Sequence, residues 1–482
     1  MGNKYFRDLR EYLAALQEKG ELLTVAEEVD SKFEIGAINQ LLVNKKGPAV
    51  LFRKVKGCPS PVACFLFGSL RRVDLAFGEE EHGAALAKYG AALQASWPEP
   101  EIVSAGPCKE NIIRKPDLTR DIPNIVWGEL DGGPYITMPL IITRNRTRDK
   151  RNLGIYRVMI QNATEMGVLI RPGQHIGMMY AEYEKHDEPM EIAICLGGDP
   201  LLYMVAGAPL RYGDDELSLL GAIRGEPVHL VKCETVDLEV PASAEIVIEG
   251  LVSPKKRRAE GPFGEFNGYI GGRSEQPIFH ATCITHRNDY LWPGTFETKP
   301  VPLSEDPLIR TTSRDMSVLI PARQLVPEIR NFHAMISGCD SFIGVAQIDG
   351  KPRPHFARRV MDAIWATPNA YEIKILIVVD KDIDIYCLDD VMWAVSTRMQ
   401  PHSDLFVAND CAGFFYDPST NRPGVSSRVG IDATIKIPER FQTYPTVAGA
   451  SDNLMKSLDE KFREAEFYRK IMSWNGETRT RG

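Results

Sequence analysis

No stretch of the 482-residue chain is apolar for long enough to cross a membrane; its longest apolar runs, such as Ile375–Val379, are strand-sized. Cysteine is sparse and unpatterned. The nine residues (58, 64, 108, 195, 233, 283, 339, 387 and 411) are odd in number and form no CxxC pair, which argues against a disulfide framework or a cysteine-built zinc site. The opening residues MGNKYFRDLREYL have early charges and no apolar core, so they do not read as a secretory signal, and position 6 is Phe rather than the Ser or Thr of a myristoylation motif. Positive charge is not in excess: 57 Lys and Arg stand against 65 Asp and Glu, a net charge of −8, which leaves no footprint for nucleic acid or an anionic membrane. GxGxxG, P-loop and GxSxG motifs are all missing, which removes support for dinucleotide binding, phosphoryl transfer by a P-loop and simple serine hydrolysis. The expected location is the reducing cytoplasm.

What is present is an ordinary globular composition, with 44% hydrophobic and 25% charged residues. A chain of this length exceeds one hydrophobic core, so two or three domains are expected. Phe6, Leu9, Tyr12, Leu13 and Leu16 fall on one face of a predicted helix from Lys4 to Glu18, which Gly20 stops. Glu21–Val25 and Ala49–Val55 read as strands around a helix over Glu34–Val43, so the first hundred residues form a small α/β unit. Trp97-Pro-Glu-Pro100 marks a boundary. From about Leu118 to Cys283 short β-rich runs dominate: Leu140–Thr143, Ile155–Gln161, Ile192–Leu196, Ile246–Gly250 and Ile278–Thr285. Their spacing suggests a sandwich or barrel. Beyond Ile309 helices alternate with strands, with a buried strand over Ile373–Val379, a helix over Val391–Arg398 and an amphipathic helix over Asn453–Ile471.

Four clusters carry side chains capable of chemistry. Asn152-Leu-Gly-Ile-Tyr-Arg157 precedes an alternating run; read alone, a strand start capped by Asn with a solvated arginine is the plainer reading. His175 lies in Arg171-Pro-Gly-Gln-His-Ile-Gly, where glycine lets backbone approach a ligand and imidazole can bind a metal, although a loop histidine is the plainer reading. Glu216 follows Gly207-Ala-Pro209 and by itself is a surface carboxylate. Together Asn152, His175 and Glu216 offer amide oxygen, imidazole and carboxylate, a thiol-free set suited to Mn or Mg. In Glu260-Gly-Pro-Phe-Gly-Glu265, Gly and Pro exclude an α-helix, so a turn aims the two acids. Two carboxylates brought close cannot both ionise freely, and a nearby arginine would restrain one in its charged form. Lys255-Lys-Arg-Arg258 reads as a solvated turn, and Gly197-Gly-Asp-Pro200 as a turn with Asp199 capping a helix.

These segments together resemble the UbiD family of reversible decarboxylases. The resemblance extends over most of the chain, through GGPYIT with Thr137, NLGIYR, QHIG, GGDP, LVKCETVDLEVPASAEIVIEG, EGPFGEFNGYIGG, DKDIDIY, VMWAVSTRMQP and GIDATIKIP. It implies an α/β (α+β) fold: an N-terminal α/β domain over residues 1–110, a flavin-binding split β-barrel over 111–310, and a C-terminal α/β oligomerisation domain with a terminal helix over 311–482. It further implies a prenylated FMN cofactor whose phosphate is held through Mn2+ (or Mg2+) by Asn152, His175 and Glu216, with a K+ ion near Ala206, Ala208 and Glu216. The implied cofactor pocket comprises Thr137, Leu153, Gly154, Ile155, Tyr156, Arg157, Arg171, Gln174, Ala208 and Pro209 with the metal ligands. Arg157, Glu260 and Glu265 are the implied catalytic set, with Glu265 protonating carbon and Arg157 orienting the substrate carboxylate.

The implied activity is non-oxidative removal of CO2 from an aromatic, heteroaromatic or α,β-unsaturated acid. Loss of CO2 from an sp2 carbon leaves an anion with no internal sink, so a cofactor must take the electrons. A flavin prenyltransferase would supply that cofactor, and a homodimer or higher homo-oligomer is expected. Two alternatives stay open: a physiological carboxylase of a phenol-like substrate, and a non-catalytic flavin-binding subunit of a larger complex. Phe296, Glu297 and Lys299 are candidates for reading a substrate ring, and core packing or exposure explains each equally well.

Overall fold

Leu9, Tyr12, Leu13 and Leu16 are all buried along a helix over Leu9–Glu18. It starts later than its apolar spacing suggests because Asp8 is extended and accepts from the Glu11 backbone N–H at 3.0 Å, capping the first turn. The structure, a computed structural model, describes residues 5–302, 304–350, 353–415, 417–436 and 447–472. Met1–Lys4, and Ile437 and Pro438 of the GIDATIKIP segment, therefore lie outside the described residues. Strands Leu22–Asp30 and Ala49–Lys56 pair in parallel around helix Glu34–Lys45. Val62–Cys64 and Trp292–Gly294 extend that sheet to four strands.

The central sheet explains the position of the site. Its strands run in the order Tyr135–Ile136, Val158–Ile160, Glu165–Val168, Ser274–His286, Ile246–Glu260, Met190–Leu196, Leu140–Arg144, Arg151–Ile155, with Asn111–Ile113 pairing beside Ser274–His286. Arg151–Ile155 closes one end of this order and Val158–Ile160 lies next to the other end. Only Tyr156 and Arg157 join them. The three Cα–Cα steps from Ile155 to Val158 span at most about 11 Å, so the sheet must curl until its ends meet, as in a barrel. The single strand expected over Ile155–Gln161 is therefore two strands, because its halves pair with different neighbours: Ile155 with Leu140, and Val158 with Val168 and Ile136. Ile141, Val158, Met166, Ile192, Ile194, Ile248 and Phe279 fill the interior without solvent exposure.

The Lys255–Arg258 run is not a turn. It belongs to the strand Ile246–Glu260, at a bulge between Val252 and Arg257 where Lys255 has φ 56°. Lys255, Arg257 and Arg258 pair with Asp187, Glu184 and Glu165 at 3.1, 2.7 and 2.7 Å. Helix Leu201–Ala206 begins one residue later than expected, with Pro200 at its N-cap, and Asp199 just before it accepts from the Leu201 N–H at 2.8 Å.

The chain divides into two compact units, one of residues 1–320 with 334–343 and one of 321–333 with 344–482. The second is built on a five-stranded sheet ordered Ile329–Ala334, Ile343–Ile348, Ile375–Asp380, Val425–Asp432, Leu405–Ala412. Leu376, Val378 and Val379 of its middle strand are fully buried, as the apolar run requires. The single helix expected over Asn453–Ile471 is two, Asp452–Phe462 and Glu466–Met472, and the break brings Phe467 edge-on to Phe462 at 5.3 Å between ring centres. No helix among the described residues is long and apolar enough to cross a membrane.

Glu245 ties the first helix to the barrel. Fully buried, it accepts from Arg10 Nε and Nη2 at 3.0 Å each, from Arg287 at 3.3 Å and from the Leu291 N–H at 3.0 Å. Removing one partner strands the other charges. Glu245→Ala is expected to lower unfolding free energy by about 3–5 kcal/mol in urea; a loss below about 1 kcal/mol would show that the arginines are satisfied elsewhere.

Candidate active site

Arg157 stands at the seam where the curled sheet meets itself, and two acids reach it from far along the chain. Glu260 ends the strand Ile246–Glu260 and is fully buried; its oxygens accept from Arg157 Nε and Nη2, both at 3.0 Å. Glu265 Oε1 accepts from Nη1 at 3.0 Å. The guanidinium therefore lies between the acids, in place of the direct carboxylate contact that their spacing suggests. It also packs against the Phe263 and Tyr135 rings, at 5.2 and 6.0 Å from their centres. Burial works against its charge, but hydrogen bonds and charge from Glu260, with charge from Glu265, outweigh that and raise its pKa.

The turn between the acids is fixed by close approaches. Gly261 has φ 95°, a conformation that disfavours a side chain. A Cβ at Gly264 would lie 2.3 Å from the Glu297 carbonyl oxygen, so only glycine lets the 295–300 segment run against the turn. That segment is held at its start by Thr137, whose hydroxyl accepts from the Thr295 N–H at 2.9 Å. Tyr135 accepts from the Gly261 N–H at 3.0 Å, and its ring packs at a 33° tilt against Phe263, 4.1 Å between ring centres. Neither ring stood out in the sequence, although both sit inside segments that did, GGPYIT and GPFG.

Arg171 also meets the acids: its Nη2 donates to Glu265 Oε2 at 3.0 Å. Gln174 holds the Arg171 backbone, accepting from its N–H at 3.3 Å. Next comes helix His175–Lys185, and there a second group forms. Glu216, first residue of helix Glu216–Arg224, accepts from the Leu153 N–H at 2.9 Å and lies 3.9 Å from His175 Nδ1. Asn152, buried beside Leu153, donates through Nδ2 to the Tyr156 hydroxyl at 3.2 Å. A Cβ at Gly154 would lie 2.4 Å from that hydroxyl. Ile155 is half-buried, and Ala208 and Pro209 lie half-buried between the two helices that follow. Tyr212, not singled out in the sequence, packs its ring edge-on to His175 at 5.6 Å.

The electrostatics of this second group suit a cation. Burial pushes the Glu216 carboxyl up to about 8 and the His175 imidazole down. A buried carboxylate of this kind gains most from a metal ion. Among the described residues no three His, Cys, Asp or Glu gather around one point, so a metal here would need a third donor of another kind, such as the Asn152 amide.

Of the ring-reading candidates, Phe296 packs over Gly128, where a Cβ would lie 3.3 Å from its ring, and Lys299 is exposed. Glu297 carries a solvent-shielded Oε2 without a hydrogen-bond partner, and burial raises its pKa strongly.

Three family profiles match the chain, those of the 3-octaprenyl-4-hydroxybenzoate carboxy-lyase N-terminal domain over residues 13–93, Rift-related domain over 101–300 and C-terminal domain over 309–433. A phenolic acid decarboxylase of Sedimentibacter hydroxybenzoicus is 32% identical over 478 residues, covering 96% of this chain and 98% of that protein. The UbiD-class enzyme HmfF of Pelotomaculum thermopropionicum, solved with FMN, is 35% identical with a TM-score of 0.86, over 94% of this chain and 99% of that one. An evolved dimeric form of HmfF, solved with prenylated FMN, is 34% identical with a TM-score of 0.82, over 94% and 98% of the two chains. With all three of its domains matched and a relative of this identity aligned along nearly the whole length, the chain belongs to the UbiD family of carboxy-lyases.

Proposed function

We propose that the chain catalyses reversible, non-oxidative decarboxylation of an aromatic, heteroaromatic or α,β-unsaturated carboxylic acid with prenylated FMN. The observation that carries this is the guanidinium of Arg157 held between Glu260 and Glu265. The HmfF complex with prenylated FMN supports the cofactor, and the Sedimentibacter phenolic acid decarboxylase supports an aromatic acid.

Thr137, Leu153–Arg157, Arg171, Gln174, Ala208 and Pro209 would hold the cofactor. Asn152, His175 and Glu216 would hold Mn2+ or Mg2+ against its phosphate, with K+ near Ala206, Ala208 and Glu216. When bound, prenylated FMN supplies the electron sink that no side chain offers. The remaining work falls to this chain. Arg157, fixed by two bonds to Glu260, keeps Nη1 directed toward Glu265 and presents a fork suited to a substrate carboxylate. As CO2 leaves, the carbon takes one proton, which we assign to Glu265. Glu260, buried and bidentate, fixes the arginine. Reversal uses the same groups, with Glu265 as base. A flavin prenyltransferase would supply the cofactor, and the chain would act as a homo-oligomer.

The test is a screen of benzoic, heteroaromatic and cinnamic acids for CO2 release by anaerobically matured protein. At least one acid should be decarboxylated, and Glu265→Gln should cut that turnover by at least about 10²-fold with flavin absorbance retained. A flavin-loaded wild type inert toward every class, or full turnover in the variant, contradicts the assignment. Separately, Glu216→Gln should lower retained manganese at least about tenfold, read by elemental analysis after desalting; unchanged metal content would remove Glu216 from the ligand set.

A further inference from the structure

The strand Trp292–Gly294 leads into a segment that is held at both ends. The Thr295 N–H donates at 2.9 Å to Thr137, a residue assigned above to the cofactor pocket. Further along, Cβ atoms at Gly264 and Gly268 would lie 3.0 Å from Glu297 Cβ and 2.7 Å from Lys299 Cα. Gly264 immediately precedes Glu265, so the Glu297 side chain starts about one residue's breadth from the acid assigned to protonate carbon. Phe296, its neighbour, packs instead over Gly128.

Glu297 has no part in the mechanism above, yet its setting is specific. Its Oε2 is shielded from solvent without a hydrogen-bond partner, while the residue as a whole is half-buried. Burial, followed by the charges of Asp306 and Glu265, raises its pKa strongly, and Arg310 offsets them only in part. Arg310 is itself engaged by Asp306 at 3.1 Å. Glu305, next to Asp306, is fully buried and accepts from the Phe67 N–H at 2.8 Å. The proton therefore stays on Glu297, and an uncharged carboxyl keeps an O–H to donate. A shielded donor is costly when it meets no acceptor.

We propose that Glu297 is a specificity-determining residue whose carboxyl donates a hydrogen bond to an uncharged oxygen or nitrogen on the substrate, so that the preferred acid is a monocarboxylate carrying such a group. This rests on the functional reading above: with the substrate carboxylate at Arg157 and its reacting carbon at Glu265, the rest of the ring runs along the turn that Glu297 packs against. A second carboxylate on the ring would add to the negative charge that already keeps the proton on Glu297, so dicarboxylates are disfavoured.

The preference is measurable without turnover, by calorimetric titration of the full chain loaded with unmodified FMN and manganese. The ligands are benzoic, furoic and cinnamic acids with their hydroxylated and carboxylated counterparts. In the class that binds best, wild type should hold a hydroxylated acid at least about tenfold more tightly than the plain acid, and the dicarboxylate more weakly than the hydroxylated one. Glu297→Leu, which has no donor, should abolish that preference by weakening the hydroxylated acid, whereas Glu297→Gln, whose amide still donates, should retain it. Glu297→Met also lacks a donor and serves if the leucine variant misfolds. A wild type with no preference, a preference that survives leucine or methionine, or equal weakening of plain and hydroxylated acids overturns the proposal and leaves the decarboxylase reading intact. Failure of every acid to bind the flavin-loaded wild type instead contradicts that reading, and this one with it.

Discussion

The Arg157 guanidinium, clamped by Glu260 through two 3.0 Å bonds and touched by Glu265 through a third, is the interaction on which the rest of the site depends. A charge this deep is costly unless its donors are answered. Glu260 answers two of them from the end of a strand, a rigid platform, while the Phe263 and Tyr135 rings pack against the guanidinium. The arginine is thus fixed on one edge, and its Nη1 donates to Glu265 and to the Gly264 carbonyl at 3.0 and 3.4 Å. Glu265 lies at the far side of a glycine-rich turn, held by Arg157 and Arg171.

The curled sheet makes this convergence possible. Had Ile155–Gln161 formed one straight strand, Arg157 would have alternated with its neighbours across a flat face. Because Tyr156 and Arg157 instead bridge opposite ends of the sheet, Arg157 projects at the seam. Leu153, a few residues earlier and next to Asn152, donates its N–H to Glu216. One six-residue segment therefore serves both the acid cluster and the group suited to a metal.

Much of the framework was legible in the sequence because its signals are local. Leu9, Tyr12, Leu13 and Leu16 mark a helix by spacing, and the Ile373–Val379 run marks a buried strand by composition. The seam was not legible: Ile-Tyr-Arg-Val-Met-Ile has the texture of one continuous strand, and only pairing with distant segments divides it. The acid cluster was beyond local reading too, since Glu260 and Glu265 lie 103 and 108 residues from Arg157; family resemblance, not spacing, grouped them. Neither route anticipated Arg171 on Glu265 or Tyr135 beneath Gly261, because those contacts arise from the turn's three-dimensional course. The glycines did carry a signal, and at Gly264 its cause is visible in the backbone that runs against it.

The most direct measurement compares Arg157→Lys with wild type, both matured with prenylated FMN, for CO2 release from the best acid and for flavin content. Lysine keeps the charge but loses the fork that binds Glu260 on one edge and leaves the other for a carboxylate. The account predicts turnover reduced by at least about 10²-fold with flavin still bound; wild-type turnover in the lysine variant would contradict it.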